Sequence, residues 1–523
     1  MQRNFKKIRV ILAVIFFLSI IVAFSDIKGN IPSGYYTTLF YFQFIPSLLK
    51  FLTPGAILSI GFIIVLIITL FGGRVYCSVL CPLGILQDIV NFLRRKISPR
   101  KRLRFKPALT ILRYVIMGIT VISLFFSGIL FLNILDPYAN FGRMGAHLYG
   151  PVLLAANNTI ARIIPVTGLQ VFEGHPVQWA SFFFAMGMFL LVALLSWFRG
   201  RLYCNSICPV GTFLGLISKI ALFKININQS ACIKCGKCQA VCKANCIDIK
   251  KMKVDESRCI DCYDCIPVCR DNAIGYHSSL TFGKKEKIAI ANGTSQTNAG
   301  RRMFLFATTG FLVSKALPAF PQNSKKADEE NHSMDYFDRG PVAPPGAISI
   351  VHLKDRCVAC HLCVASCPTK VLTPNFLGYG FTGMNLPSMN YDVSFCNYEC
   401  NKCGEVCPTG AIAKLPVAEK KRTQIGRVHF QFDYCVVNTE GTACGSCSEH
   451  CPTQAVQMVP YKNGLTKPQT NPDICIGCGA CEYACPVIAP HPAIFVIPNA
   501  VQGRAKNPSS QKIKYKQSEA FPF

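Results

Sequence analysis

The sequence predicts an α-helical membrane domain of four transmembrane helices with an internal repeat, joined to two compact α+β units that metal clusters crosslink. Three observations carry this reading. Four apolar runs, at residues 8–25, 51–71, 114–135 and 177–198, each have about the length a helix needs to cross the hydrocarbon core. The string Gly73-Arg74-Val75-Tyr76-Cys77-x3-Cys81-Pro82-Leu83-Gly84 returns as Gly200-Arg201-Leu202-Tyr203-Cys204-x3-Cys208-Pro209-Val210-Gly211. Of the 29 cysteines, 24 fall into six groups of four with nearly constant spacing.

A mean hydropathy of +0.32 is too apolar for a wholly soluble chain of 523 residues. Arg3, Lys6 and Lys7 precede the first run as they would in a signal peptide, but no small-residue cleavage site follows it and three more runs do. The net charge of +28 divides into +25 before residue 321 and +3 after it. Most of that excess flanks the apolar runs, which excludes nucleic acid as the partner in favour of the positive-inside rule. The segment 72–113 holds ten basic residues, whereas loop 26–50 holds Lys28 and Lys50 and loop 136–176 holds Arg143 and Arg162. The N-terminus, segment 72–113 and the chain after residue 198 therefore face the cytoplasm.

The duplicated strings fall at the same end of the second and fourth helices, so Cys77, Cys81, Cys204 and Cys208 are expected to converge as one cofactor-binding spot. Their spacing leaves open buried structural thiols, a metal or cluster site, and a redox-active dithiol. A unit spanning 225–280 follows this 1–224 membrane domain. Its motifs are Cys232-x2-Cys235-x2-Cys238-x3-Cys242 and Cys259-x2-Cys262-x2-Cys265-x3-Cys269, the bacterial ferredoxin run. In that run the fourth cysteine ligates the neighbouring cluster, so Cys232, Cys235, Cys238 and Cys269 hold one cube and Cys259, Cys262, Cys265 and Cys242 the other. Cys246 is an extra thiol, a structural residue or a substitute for Cys242.

Four further motifs occupy a unit at 347–500: Cys357, Cys360, Cys363 and Cys367; Cys396, Cys400, Cys403 and Cys407; Cys435, Cys444, Cys447 and Cys451; and Cys475, Cys478, Cys481 and Cys485. Each fourth cysteine precedes a proline. Zinc sites need paired cysteines a dozen or more residues apart, and a disulfide scaffold would not repeat one spacing. The two cysteine-rich segments are therefore read as α+β ferredoxin-like iron–sulfur units carrying six 4Fe-4S clusters.

Between them, residues 281–346 read as a linker holding Arg301-Arg302, a short apolar run and Ala316-Leu317-Pro318-Ala319, which looks like an internal twin-arginine signal or an amphipathic linker helix. Residues 501–523 read as a polar tail. The chain has no dinucleotide fingerprint, P-loop or His-Glu-x-x-His motif. A quinol site would need a proton acceptor in an apolar slot, for which His147, His175, Glu173 and Asp136 are candidates beside the aromatics Tyr35, Tyr36, Phe40, Tyr41, Phe42 and Phe44. The same aromatics also read as an interfacial belt.

On these motifs the first 280 residues resemble NapH-type quinol dehydrogenase membrane proteins, and residues 301–485 resemble NapG- and MauM-type ferredoxins, as though two proteins were fused. The resemblance implies a multi-pass protein of the bacterial inner membrane, its first ferredoxin unit cytoplasmic and its second periplasmic. Electrons would pass from membrane quinol to a periplasmic reductase or cytochrome. An accessory factor that reduces metal centres or thiols of a partner, and a redox sensor, are the competing roles.

Overall fold

The structure is a computed structural model describing residues 4–26, 31–52, 60–98, 105–126, 128–164, 170–172, 174, 176–279 and 336–507. The Arg301-Arg302 segment, His175 and Glu173 lie outside the described residues. The helical domain comprises α1 (Phe5–Phe24), α2 (Ser33–Tyr41), α3 (Phe44–Phe51), α4 (Gly61–Gly72), α5 (Val75–Val79), α6 (Pro82–Ile97), α7 (Thr110–Phe126), α8 (Leu130–Leu135), α9 (Pro137–Met144), α10 (Gly150–Ile163), α11 (Trp179–Arg199) and α12 (Pro209–Ser218).

The repeat is visible in the backbone. Both α4 and α11 end on a glycine with positive φ, Gly73 (76°) and Gly200 (67°), a conformation that a Cβ would strain. Each string then makes a short turn, α5 in the first copy and the π-helical Tyr203–Ile207 in the second, before Pro82 or Pro209 opens the next helix at its first position.

Two described helices, α1 and α11, are long and apolar enough to cross a membrane, and α4 and α7 are shorter. Of the four expected transmembrane helices, two are thus of spanning length among the described residues. The third run splits where Gly128 turns the chain at φ 69°, and α8 continues it as a separate piece. Its loop also differs from expectation: Asp136 caps α9, accepting from the Ala139 N–H (2.8 Å), and every residue of α9 is buried inside the domain.

The first cysteine-rich unit pairs its outer strands β1 (Phe223–Ile227) and β4 (Ile274–Ser278) antiparallel and holds an inner hairpin, β2 (Ile247–Asp248) with β3 (Lys253–Val254). The second unit begins with the pair β5 (Leu372–Asn375) and β6 (Leu386–Met389). It then repeats the first unit's plan, with outer strands β7 (Thr423–Phe430) and β10 (Ile494–Arg504) around the hairpin β8 (Val456–Pro460) and β9 (Thr466–Thr470). Helices in both units are short, as expected where clusters replace a large core. Strand β10 runs past residue 500, pairing Gly503 with Gln424 and Arg504 with Thr423, so the polar tail cannot begin at 501. The unit also starts earlier than 347, since Tyr336 stacks on His491 at 5.1 Å and Arg339 pairs with Glu482 at 2.7 Å.

The two units sit at opposite ends of the helical domain. Phe5, at the start of α1, packs on Tyr263 of the first unit, and Asn245 of that unit donates to Arg199 O at the end of α11 (2.8 Å). At the other ends, Gly142 beside Phe24 lies against the Cys360 carbonyl, and Ser181 Oγ donates to Asn385 Oδ1 (2.8 Å). Helices of 20 and 21 residues separate them by about 30 Å, the thickness of a hydrocarbon core.

Candidate metal centres

Six sets of four thiols gather in the two units, most of them buried or half-buried and Cys235 exposed. Cys238 lies within the field of Cys232, Cys235 and Cys269, and Cys265 within that of Cys259, Cys262 and Cys242. In the second unit Cys357, Cys360 and Cys363 gather with Cys407, and Cys396, Cys400 and Cys403 with Cys367. Likewise Cys475, Cys478 and Cys481 gather with Cys451, and Cys435, Cys444 and Cys447 with Cys485. The second unit's four motifs thus form two crossed pairs, a partition that spacing alone left undecided.

Two of these sets line apolar cavities. Cys435, Cys444, Cys447 and Cys485 border one with Phe430 and Ile494; Cys242, Cys259, Cys262 and Cys265 border another with Ile225 and Ile260. Among the described residues no group of three or more His, Cys, Asp or Glu side chains is placed to hold a single metal ion. Rings of thiols around an apolar void suit a cube. Burial, then the neighbouring thiols, pushes Cys447 up to about 12, and burial pushes Cys475 up to about 11, so iron must displace a proton from each. Cys246 joins the second cavity, its sulfur 3.5 Å from that of Cys242, close enough to exchange with it as a ligand.

Cys77, Cys81, Cys204 and Cys208 are all buried and come together inside the helical domain, with Cys81 in the field of the other three. The two copies of the repeat clasp each other here. Arg74 reaches across to Cys204 O (3.2 Å), and Arg201 to Cys77 O. The Gly211 and Gly84 positions make room: a Cβ on either would strike the Cys204 or Cys77 carbonyl and the arginine that crosses it.

The first unit docks on this centre through charges. Asp88 binds Arg201 (2.9 Å), Arg9 (3.0 Å) and Lys243 (3.2 Å), and Asp264 binds Lys243 (3.1 Å) and Lys6 (3.2 Å). Burial alone would raise Asp88, but these cations outweigh it and hold the carboxyl well below its usual range. The second unit docks chiefly through neutral acceptors: Asn133 donates to Met384 O (3.0 Å), and the Arg356 guanidinium to Leu49 O (2.9 Å) and Leu52 O (2.8 Å).

Of the expected proton acceptors, His147 lies 2.8 Å from His361, which neighbours the motif residue Cys360, and the His361 ring also meets Asn385 O at 2.9 Å. Asp136 is fully buried as the α9 cap. The aromatics differ from a belt: Tyr36, Phe40 and Phe44 are buried, and Phe40 packs on Tyr138 at 5.2 Å. His361, Arg143 and Asp88 were not among the residues that sequence singled out. Arg74 and Arg201 did stand in the duplicated string, the one signal that could have found them.

The family model described as a 4Fe-4S binding domain matches residues 54–100 and again 181–228. A 4Fe-4S dicluster domain matches 442–489, and a second 4Fe-4S binding domain matches 350–373. The homologues of this chain are ferredoxin-type proteins. The ferredoxin-type protein NapH of Haemophilus influenzae is 29% identical over 191 residues, 36% of this chain and 54% of that protein. The methylamine utilization ferredoxin-type protein MauN of Methylobacillus flagellatus is 26% identical over 174 residues, covering 33% and 49%. The ferredoxin-type protein NapF of Escherichia coli is 26% identical over 148 residues, covering 28% and 82%. The chain thus spans about half the length of its NapH and MauN relatives. These matches fit a fusion of a NapH-type with a ferredoxin-type protein and support an iron–sulfur electron-transfer role.

Proposed function

We propose that this protein passes electrons from membrane quinol through 4Fe-4S clusters at its six cysteine motifs to a periplasmic reductase or cytochrome. The first unit then lies in the cytoplasm and the second across the membrane. The observation that carries this reading is the placement of the two units at opposite ends of α1 and α11. When bound, such clusters exchange single electrons, over potentials that charge and hydrogen bonding tune.

The protein's own residues bind and insulate them. Thiolates hold the cubes, apolar walls such as Phe430 and Ile225 exclude water, and the backbone N–H groups of Gly477 and Ile412 donate to Cys475 (3.3 Å) and Cys407 (3.4 Å). His147, whose Nδ1 is left over once its Nε2 meets the His361 ring, would take a proton from a quinol near Cys360.

The test is anaerobic reduction of membranes containing the protein by a reduced quinol analogue. Cluster absorbance should bleach, and the purified protein should carry about 24 irons in its ferredoxin units. Full loading with bleaching by dithionite but none by quinol would refute the quinol donor.

A further inference from the structure

We propose that Cys77, Cys81, Cys204 and Cys208 together hold a seventh 4Fe-4S cluster, through which electrons cross between the two ferredoxin units. The inference rests on the electron-transfer reading above and goes beyond its six motifs. Each half of the repeat matches a 4Fe-4S binding domain, yet residues 54–100 contain two cysteines and residues 181–228 contain two. A cube needs four thiolates. Neither half can supply them alone, and the fold brings both pairs to one buried place.

The surroundings point to an anion there. Arg74 is 0% exposed, and its guanidinium hydrogen-bonds to Asn205 Oδ1 (2.9 Å), Ser257 O (3.0 Å), Cys204 O (3.2 Å) and Cys77 Sγ (3.7 Å), none of them a carboxylate. Asp261 takes the Arg74 backbone N–H instead. A buried guanidinium with no carboxylate on its own nitrogens is unfavourable, since Asp261 faces only the backbone end of Arg74. An iron–sulfur cube with four thiolates carries net negative charge and would neutralise it. Donors also aim at the sulfurs themselves: Gln87 Nε2 lies 3.1 Å from Cys204 Sγ, and the Gly211 N–H 3.3 Å from Cys208 Sγ.

Position supplies the rest. Toward the first unit, Asn205, next to Cys204, donates to Ala244 O (3.4 Å), between Cys242 and Cys246. Toward the second, the Tyr203 hydroxyl meets Leu135 O (3.0 Å) and Asn140 Nδ2 (3.3 Å), and Tyr138 of the same α9 segment lies beside Cys360. The quartet thus stands on a continuous packed route between ligand residues at the two ends of the domain. Each transfer moves one electron from a reduced donor centre to the oxidised neighbour, with no bond made or broken and no proton required.

The full-length protein, loaded anaerobically, should contain about 28 irons, and Cys77→Ser/Cys204→Ser should lose about four of them while the six ferredoxin signals stay in the EPR spectrum. In sealed proteoliposomes with ferricyanide trapped inside and dithionite outside, wild-type protein should bleach the ferricyanide. The double variant should fall to the leak of protein-free vesicles. A wild-type count near 24, with transfer unchanged in the variant, overturns the seventh site, and this count needs no variant to fold. A count well short of 24 sinks the ferredoxin reading itself and this inference with it.

Discussion

The two ferredoxin units grip the same helical domain by different physics. The first is held by carboxylates shared among several cations, Asp88 with three and Asp264 with two. The second is held by neutral amides, hydroxyls and carbonyls around Asn133, Ser181 and Asn385, with Lys402 reaching Asp26 only at 3.8 Å. The charge of the chain explains the contrast. The basic flanks of the helices gather on Asp88 of α6, and the first unit joins that cluster by adding Lys243 to it and by offering Asp264 to Lys6. Removing one charged atom should therefore loosen the first unit far more than any comparable change loosens the second.

Asp88→Ala is expected to have the largest effect. It strands Arg9 and Arg201 in a buried site and leaves Lys243 with Asp264 alone, a change that typically destabilises by about 3–5 kcal/mol. Limited proteolysis should release the 225–280 unit while the 336–507 unit stays resistant. The sign with pH follows from the depressed pKa: the Asp88 contribution is complete above its ordinary value near 4 and fades as pH falls through the lower folded value. Asp88→Asn imitates that protonated state at neutral pH, without acid damage to the clusters, and should loosen the first unit only. Equal loosening of both units would show that the charged face is not special.

Gly84→Ala and Gly211→Ala come next. Each Cβ would meet a backbone carbonyl and an arginine of the other repeat copy, an overpacking expected to destabilise by about 1–3 kcal/mol. Because the clasp is pseudo-symmetric, thermal unfolding in detergent should fall similarly for both. A large effect for one and none for the other would break the symmetry argument.

Much of this was legible in sequence because cluster ligation is local. Three closely spaced thiols mark a cube wherever the chain runs, the fourth coming from a partner motif, and the duplicated Gly-Arg-x-Tyr-Cys string marks two equivalent turns. What sequence did not reveal depends on tertiary docking. Asp136-Pro137 reads as a helix start, but nothing in Pro137–Met144 says that the helix is buried whole between Tyr203 and Cys360. Tyr36 and Phe40 have the composition of a membrane belt and become core because Phe24 and Tyr138 pack on Phe40 and Lys402 of the second unit lies over Tyr36. The polar β10 residues beyond 500 are ordered by pairing with β7, a partner some 75 residues away.

Arg356→Ala should give the smallest effect, and it sharpens the contrast most. Its guanidinium caps the C-terminal end of α3, donating to Leu49 O and Leu52 O, and so it shares with Lys402, which donates to Ile31 O (2.8 Å), the polar contact between the second unit and this part of the helical domain. A cation at a helix C-terminus typically contributes about 0.3–1 kcal/mol, since the freed carbonyls of a part-buried end can turn to water. Arg356→Ala should accordingly accelerate proteolytic release of the 336–507 unit only slightly, and Arg356→Lys, which keeps the charge and one donor, should recover most of the difference. If Arg356→Ala instead freed the second unit as completely as Asp88→Ala frees the first, the neutral face would depend on a single charge after all, and the two docking surfaces would differ in partner rather than in kind.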